Sequence, residues 1–276
     1  HPYMQRSLIK TINKILNSED ESFLQLLKEI FNIDGIVGQA IVVTHSPNIL
    51  LDDYKQYIRI YRERHEVKSA PENGPIYLDN KEEKHFRRQA PYIKEAFFSK
   101  LVIVVEGDTE YGAIPEFLRK FDIDMDEYGI TIIKADGVES IEPVKKVLGS
   151  FGIRCIAFAD KDRSRTENDV YDIVTTNRDF EEDIAQSLSG DINEEKEKIL
   201  DDILRNLGKE QAKYSIIKRG KQMMDGEELY KTLSNEKVKN IITGKIIGEK
   251  LPKEYIPDSI RRLAEKIKSI LGNGHE

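Results

Sequence analysis

LVIVVEGDTEYG (residues 101–112) and IRCIAFADKDRS (residues 153–164) decide the reading of this chain. Each opens with an unbroken apolar run and ends abruptly in acids. Apolar runs this short, without polar alternation, are the mark of strands buried on both faces, as in a parallel sheet sandwiched between helices. The text between and around them fits that architecture. A helical pattern runs from about Thr109 to Lys120, ITIIKA (130–135) reads as a strand, Ser140 to Leu148 as a helix, and YDIVTT (171–176) as a further strand. Strands alternating with helices of ten or so residues predict an α/β fold with right-handed crossovers.

In open α/β sheets the chemistry gathers at the carboxyl ends of the strands. LVIVV is followed by Glu106, Gly107, Asp108, Thr109 and Glu110, and IRCIAFA by Asp160, Lys161 and Asp162. If the two strands are neighbours, Glu106 and the Asp160/Asp162 pair converge on one edge. Gly107 permits a tight turn there, and Glu110, one helical turn beyond Glu106, can face the same space. Clustered carboxylates repel one another unless protons or cations compensate, and hard oxygen donors suit Mg²⁺ or Mn²⁺ better than zinc. Two such ions about 3.5 to 4 Å apart can clamp the attacking and leaving oxygens of a phosphodiester.

Composition narrows the class. The 276 residues include 34% charged and 39% hydrophobic positions, with no apolar window long enough to span a membrane, no signal peptide and a single cysteine, Cys155. Disulfides and cysteine-rich zinc sites are excluded, a cytoplasmic location is expected, and Cys155 reads as a small buried hydrophobe. A net charge of -7 argues against a broad electrostatic DNA glove, although Lys218, Arg219 and Lys221 form a local basic stretch.

Upstream, helices are expected over Pro2 to Leu16 and around Phe23 to Phe31, then a short buried strand at Ala40 to Val43 ending in Thr44, His45 and Ser46. Residues 57–95, charged and interrupted by Pro71, Gly74, Pro75 and Pro91, read as a crossing or linker. Beyond residue 183 the text turns helical and charged. The expected organisation is a unit over 1–65, a linker over 66–95, and an α/β domain over 96–276 carrying a helical extension or insertion at about 184–260. The start at His1, directly on a helical pattern, points to a piece of a longer polypeptide.

An apolar strand ending in EG, with a second Glu three residues past the Gly, then a later strand ending in DxD, resembles the Toprim domain of topoisomerases, primases and OLD-family nucleases. VVEGDTE followed by AFADKDRS is most similar to the OLD (overcoming lysogenization defect) ATPase-nucleases. IVVTHSPNILL looks like the last strand and switch-histidine segment of their ABC-type ATPase domain, and HPYMQRSL like the stretch after its Walker B acids. No GxxxxGK[ST] occurs, so ATP is expected to matter only in a full-length protein, where His45 would approach the nucleotide; a lone His after a strand is otherwise a structural residue.

The resemblance implies a Rossmann-like Toprim sheet and a DNA endonuclease or nickase using two Mg²⁺ or Mn²⁺ ions. It implies metal ligation by Glu106, Glu110, Asp160, Asp162 and an acid in NRDFEEDI, best matched by Glu181 with Asp179 as the near alternative. Glu106 and Asp160 would be central to catalysis. A downstream lysine would stabilise charge on the phosphate, with Lys221 preferred over Lys218. Ser164 could support a ligand or phosphate indirectly. DNA as partner, a homodimer, a helicase partner and a role in phage defence are implied in the same way. The alternatives are a non-catalytic interaction or dimerisation fragment, another Toprim enzyme of topoisomerase or primase kind, and a small phosphatase or receiver-like domain.

Overall fold

The structure is a computed structural model that describes residues 1–272 except 64, 163–169 and 219–221. The chain divides into two compact units, His1–Tyr57 and Ile58–Glu276. The boundary therefore falls ahead of the expected one at 65.

The first unit holds helices α1 (Pro2–Leu16) and α2 (Glu21–Phe31). Proline suits the first turn of α1, and the Asp20 carboxylate caps α2 by accepting from the Phe23 amide at 3.0 Å. The expected buried strand at Ala40–Val43 is not formed. The run is irregular and open to solvent, with Ile41 96% and Val43 85% exposed. A strand needs a neighbour to satisfy its backbone, and no other strand lies among the described residues of this unit.

The second unit opens with an antiparallel hairpin, β1 (Arg59–Glu63) and β2 (Glu66–Ala70), followed by α3 (Asn80–Ile93). The expected linker over 66–95 is thus mostly regular structure. Asp79 and Glu82 form a capping box at the start of α3, while Phe86, Gln89 and Ile93 are buried at helical spacing. Arg59 fastens the hairpin by donating to the carbonyls of Phe97, Ser99 and Phe151 at 3.0 to 3.1 Å.

Next come β3 (Leu101–Val105), α4 (Asp108–Lys120), α5 (Met125–Tyr128), β4 (Ile130–Lys134), α6 (Ile141–Ser150), β5 (Arg154–Ala159) and β6 (Ile173–Val174). The four strands form one parallel sheet in the order β4-β3-β5-β6. All of β3 is fully buried, as its apolar text requires. Leu101, Ile103 and Val105, with Ile156 and Phe158, join a continuous core shared with the later helices. α6 packs against β5, and α3 lies against α6.

The remainder is α7 (Phe180–Leu188), β7 (Gly190–Asp191), α8 (Glu194–Asn206), α9 (Lys213–Ile216), β8 (Ile217–Lys218), β9 (Met223–Met224), α10 (Gly226–Leu233), α11 (Ile241–Lys250) and α12 (Asp258–Gly272). A small sheet, β7-β9-β8, sits among the helices, where helix alone was expected. These elements contribute Leu188, Leu200, Leu229, Ile247 and Leu263 to the same core as β3, so they complete the α/β layer. The closest join is α11 on α4. A Cβ on Gly112 would stand 2.1 Å from the Ile241 carbonyl, and one on Gly244 would stand 2.0 Å from the Thr109 carbonyl. Only glycine lets the two backbones approach this far.

Candidate metal centre

The register of the central strands builds the site. β3 and β5 are adjacent and parallel, with Val105 opposite Phe158, so Glu106 and Asp160 leave the same edge of the sheet one residue out of step. Glu106 follows β3 directly. Gly107 caps α4 in an extended conformation, not a left-handed one, and its lack of a side chain matters for space: a Cβ there would lie 3.0 Å from Glu110 Oε2. Glu110, in the first turn of α4, is only 2% exposed. Glu181 enters from the first turn of α7 and is 1% exposed.

These acids share one electrostatic environment. Burial, then the charges of Glu181 and Glu106, push Glu110 up to about 8. Burial, followed by Glu110, Glu106, Glu181 and Asp179, pushes Asp160 up to about 9. Glu110 Oε2 and Glu181 Oε1 are buried with no hydrogen-bond partner. Orphaned buried carboxylate oxygens are costly, and protons or cations are the remedies. Asp160 does have one fixed contact, accepting from the Phe180 amide at 3.0 Å.

The cation at the cluster is Lys239, which the sequence did not single out. Its ammonium lies 2.8 Å from Glu181 Oε2. Burial alone would lower its pKa, yet Glu181, with help from Asp160 and Glu110, holds it above the ordinary lysine value. Lys239 immediately precedes Asn240, whose side chain caps α11 by accepting from the Thr243 amide. The glycine contact between α11 and α4 therefore sets the position of Lys239 against Glu110 and Glu181.

The other expected residues separate into groups. Asp179 caps α7 and accepts from the Tyr230 hydroxyl at 2.9 Å, at the margin of the cluster. Asp162 is exposed, and its amide donates to the Arg178 carbonyl. Lys218 is ion-paired with Asp225. Lys221 and Ser164 lie outside the described residues. His45 is exposed in the first unit. Asp183, two positions past Glu181, plays a different part. It accepts from the amides of Thr176 and Asn177 and from the Ser259 hydroxyl at 2.6 to 3.0 Å, tying β6, α7 and α12 together.

Toprim folds are expected to hold divalent ions, and the donor chemistry here fits them: four oxygen-bearing acids, two with orphaned buried atoms. Among the described residues, no three of His, Cys, Asp and Glu yet stand as a ready-made ligand cage. The acids are gathered, and Lys239 balances part of their charge.

The family model described as "Overcoming lysogenization defect protein-like, TOPRIM domain" matches residues 97–162. The C-terminal region of the Burkholderia pseudomallei OLD protein is similar in structure, with 19% identity, a TM-score of 0.46, and coverage of 63% of this chain and 99% of that one. The C-terminal region of the Xanthomonas campestris pv. campestris OLD protein aligns with 21% identity, a TM-score of 0.47, and coverage of 65% and 100%. No curated protein matches the chain. Residues 97–162, which hold the parallel strands and the two acid-tipped strand ends built above, match the OLD-like Toprim domain.

Proposed function

We propose that the chain is the nuclease part of an OLD-type protein, hydrolysing DNA phosphodiester bonds with Mg²⁺ or Mn²⁺. The observation that carries this reading is the meeting of Glu106, Glu110, Asp160 and Glu181, from three segments of chain, at the carboxyl edge of a parallel sheet. Bound there, divalent ions would activate water and neutralise charge on the phosphate. Glu106, Glu110, Asp160 and Glu181 would hold them, and Asp162 would join from the β5 loop by turning inward.

Lys239 takes the role assigned from sequence to Lys221 or Lys218. Its side chain is 37% exposed while its ammonium touches Glu181, so it reaches both the buried acids and incoming solute. A cation so placed can hydrogen-bond a phosphoryl oxygen as negative charge builds there. Asp160, fixed by the Phe180 amide, keeps one oxygen oriented and leaves the other for a ligand. A role in phage defence rests on the OLD resemblance alone.

The test is nicking of supercoiled plasmid by the chain in Mg²⁺ or Mn²⁺. Metal-dependent nicking that EDTA stops, and that both Glu106→Ala and Asp160→Ala abolish, is expected. Nicking that survives both substitutions, or none with either metal, would sink the proposal.

A further inference from the structure

The acid site offers little to attract a polyanion, and the chain as a whole carries -7. A nuclease of this composition needs a local cationic surface to hold its substrate. Helix α3 provides one. Lys81 is paired with Glu139 and Arg87 with Glu83. Lys84 and Arg88 are exposed, and among the described residues neither is ion-paired with a carboxylate. They stand four residues apart, on one face, and line an open groove of about 410 Å³ with Asn80 and the Arg87–Glu83 ion pair. Tyr92, one turn further along, is 72% exposed.

The anchorage of α3 joins the helix to the sheet edge. Gln89, buried on the inner side of α3, donates to the Ala135 carbonyl at 3.0 Å, just past the carboxyl end of β4. Next to it, Asp136 pairs with Lys134 at 2.7 Å, and Lys134 pairs with Asp108, the first residue of α4, at 2.7 Å. The basic helix is therefore anchored to the sheet edge from which the acids project.

We propose that the Lys84–Arg88 face of α3 is a docking surface for the phosphate backbone of duplex DNA, holding the strand whose neighbouring segment reaches the acid cluster. This rests on the nuclease reading. Two long, uncompensated cations at helical spacing can each meet a phosphate, a sequence-independent contact that positions a duplex without reading it.

The test measures binding of a fluorescent duplex to the 276-residue chain by anisotropy, in EDTA so that no cutting occurs, over a series of salt concentrations. Each phosphate contact contributes about 0.9 to the slope of log affinity against log salt. K84A/R88A is expected to bind more weakly, with a slope shallower by about 2. K198A/K268A, which removes the same charge from exposed positions elsewhere, should keep the parent slope. Lys84→Arg with Arg88→Lys should keep it as well. A parent that does not bind duplex, or a K84A/R88A variant with the parent slope, overturns the docking surface. Slope loss in a chain that nevertheless fails to nick plasmid supports the surface and removes only the nuclease reading.

Discussion

Gly244→Ala is the most informative single change. The added methyl would lie 2.0 Å from the Thr109 carbonyl oxygen and 3.0 Å from the Ala113 amide nitrogen, both backbone atoms of α4. Ordinary contact between such atoms is about 3.5 Å, so α11 must withdraw by roughly 1 Å or more. Overpacking of this kind costs about 1–3 kcal/mol. Lys239 stands at the head of α11 and would move with it, away from Glu181 and Glu110. A displacement near 1 Å in a positioned group costs about 10²-fold in rate. Denaturant unfolding and plasmid nicking, both well below the melting temperature, separate the two effects. The expected result is a modest loss of stability with a rate loss much larger than the unfolded fraction explains. Gly149→Ala is the control, because a Cβ there meets nothing within 4 Å. It should be neutral or slightly stabilising. Parent-like stability and parent-like nicking in Gly244→Ala would refute the claim that this crossing sets the site.

Lys239→Met removes the cation that touches the acids; since the lysine is partly exposed, the stability loss in EDTA should be about 1–2 kcal/mol, below the cost of stripping a fully buried pair. Nicking should fall with little change in substrate affinity, and equal kcat in the variant would exclude the lysine from the reaction. Asp183→Asn turns one acceptor oxygen of a buried carboxylate into an NH2 donor, so two of the four hydrogen bonds it accepts are lost. It should cost about 2–4 kcal/mol in thermal or denaturant unfolding while leaving metal affinity of the surviving fold unchanged. Stability should also depend on pH. Because Glu110 and Asp160 are held up at about 8 and 9, the folded chain binds more protons than the unfolded one between about pH 4 and 9. The metal-free protein should therefore lose stability as pH rises from 5 to 9, and Glu110→Gln with Asp160→Asn should flatten that dependence; a parent more stable at pH 9 than at pH 5 would contradict it.

The strands and their acids were legible because the signal is local. A run such as LVIVV can satisfy its burial only inside a sheet, and the residues directly after it must emerge at the sheet's edge. Glu106 and Asp160 follow from that position, Glu110 from its place one helical turn further, and Glu181 from the family pattern, whereas Asp162, read from the same strand end, is exposed. Helix α3 was hidden by its charge and by Pro91, because only one side of it is apolar; the Asp79–Glu82 capping box was the readable sign of its start. Ala40–Val43 misled in the opposite direction, since an apolar run states a preference for a strand but not whether a neighbour exists. Lys239 had no local signature. It reaches Glu181 only because glycines on two helices far apart in sequence allow α4 and α11 to touch, and that pairing is tertiary.

The proposed function turns on whether the acid cluster binds a divalent cation, and titration calorimetry with Mn²⁺ at neutral pH, repeated in two buffers of different ionisation heat, measures this directly. Raised carboxyl groups must give up protons to become ligands. Mn²⁺ binding with proton release is expected, with both lost in Glu110→Gln and in Asp160→Asn. Absence of binding, or binding unchanged in both variants, would contradict it.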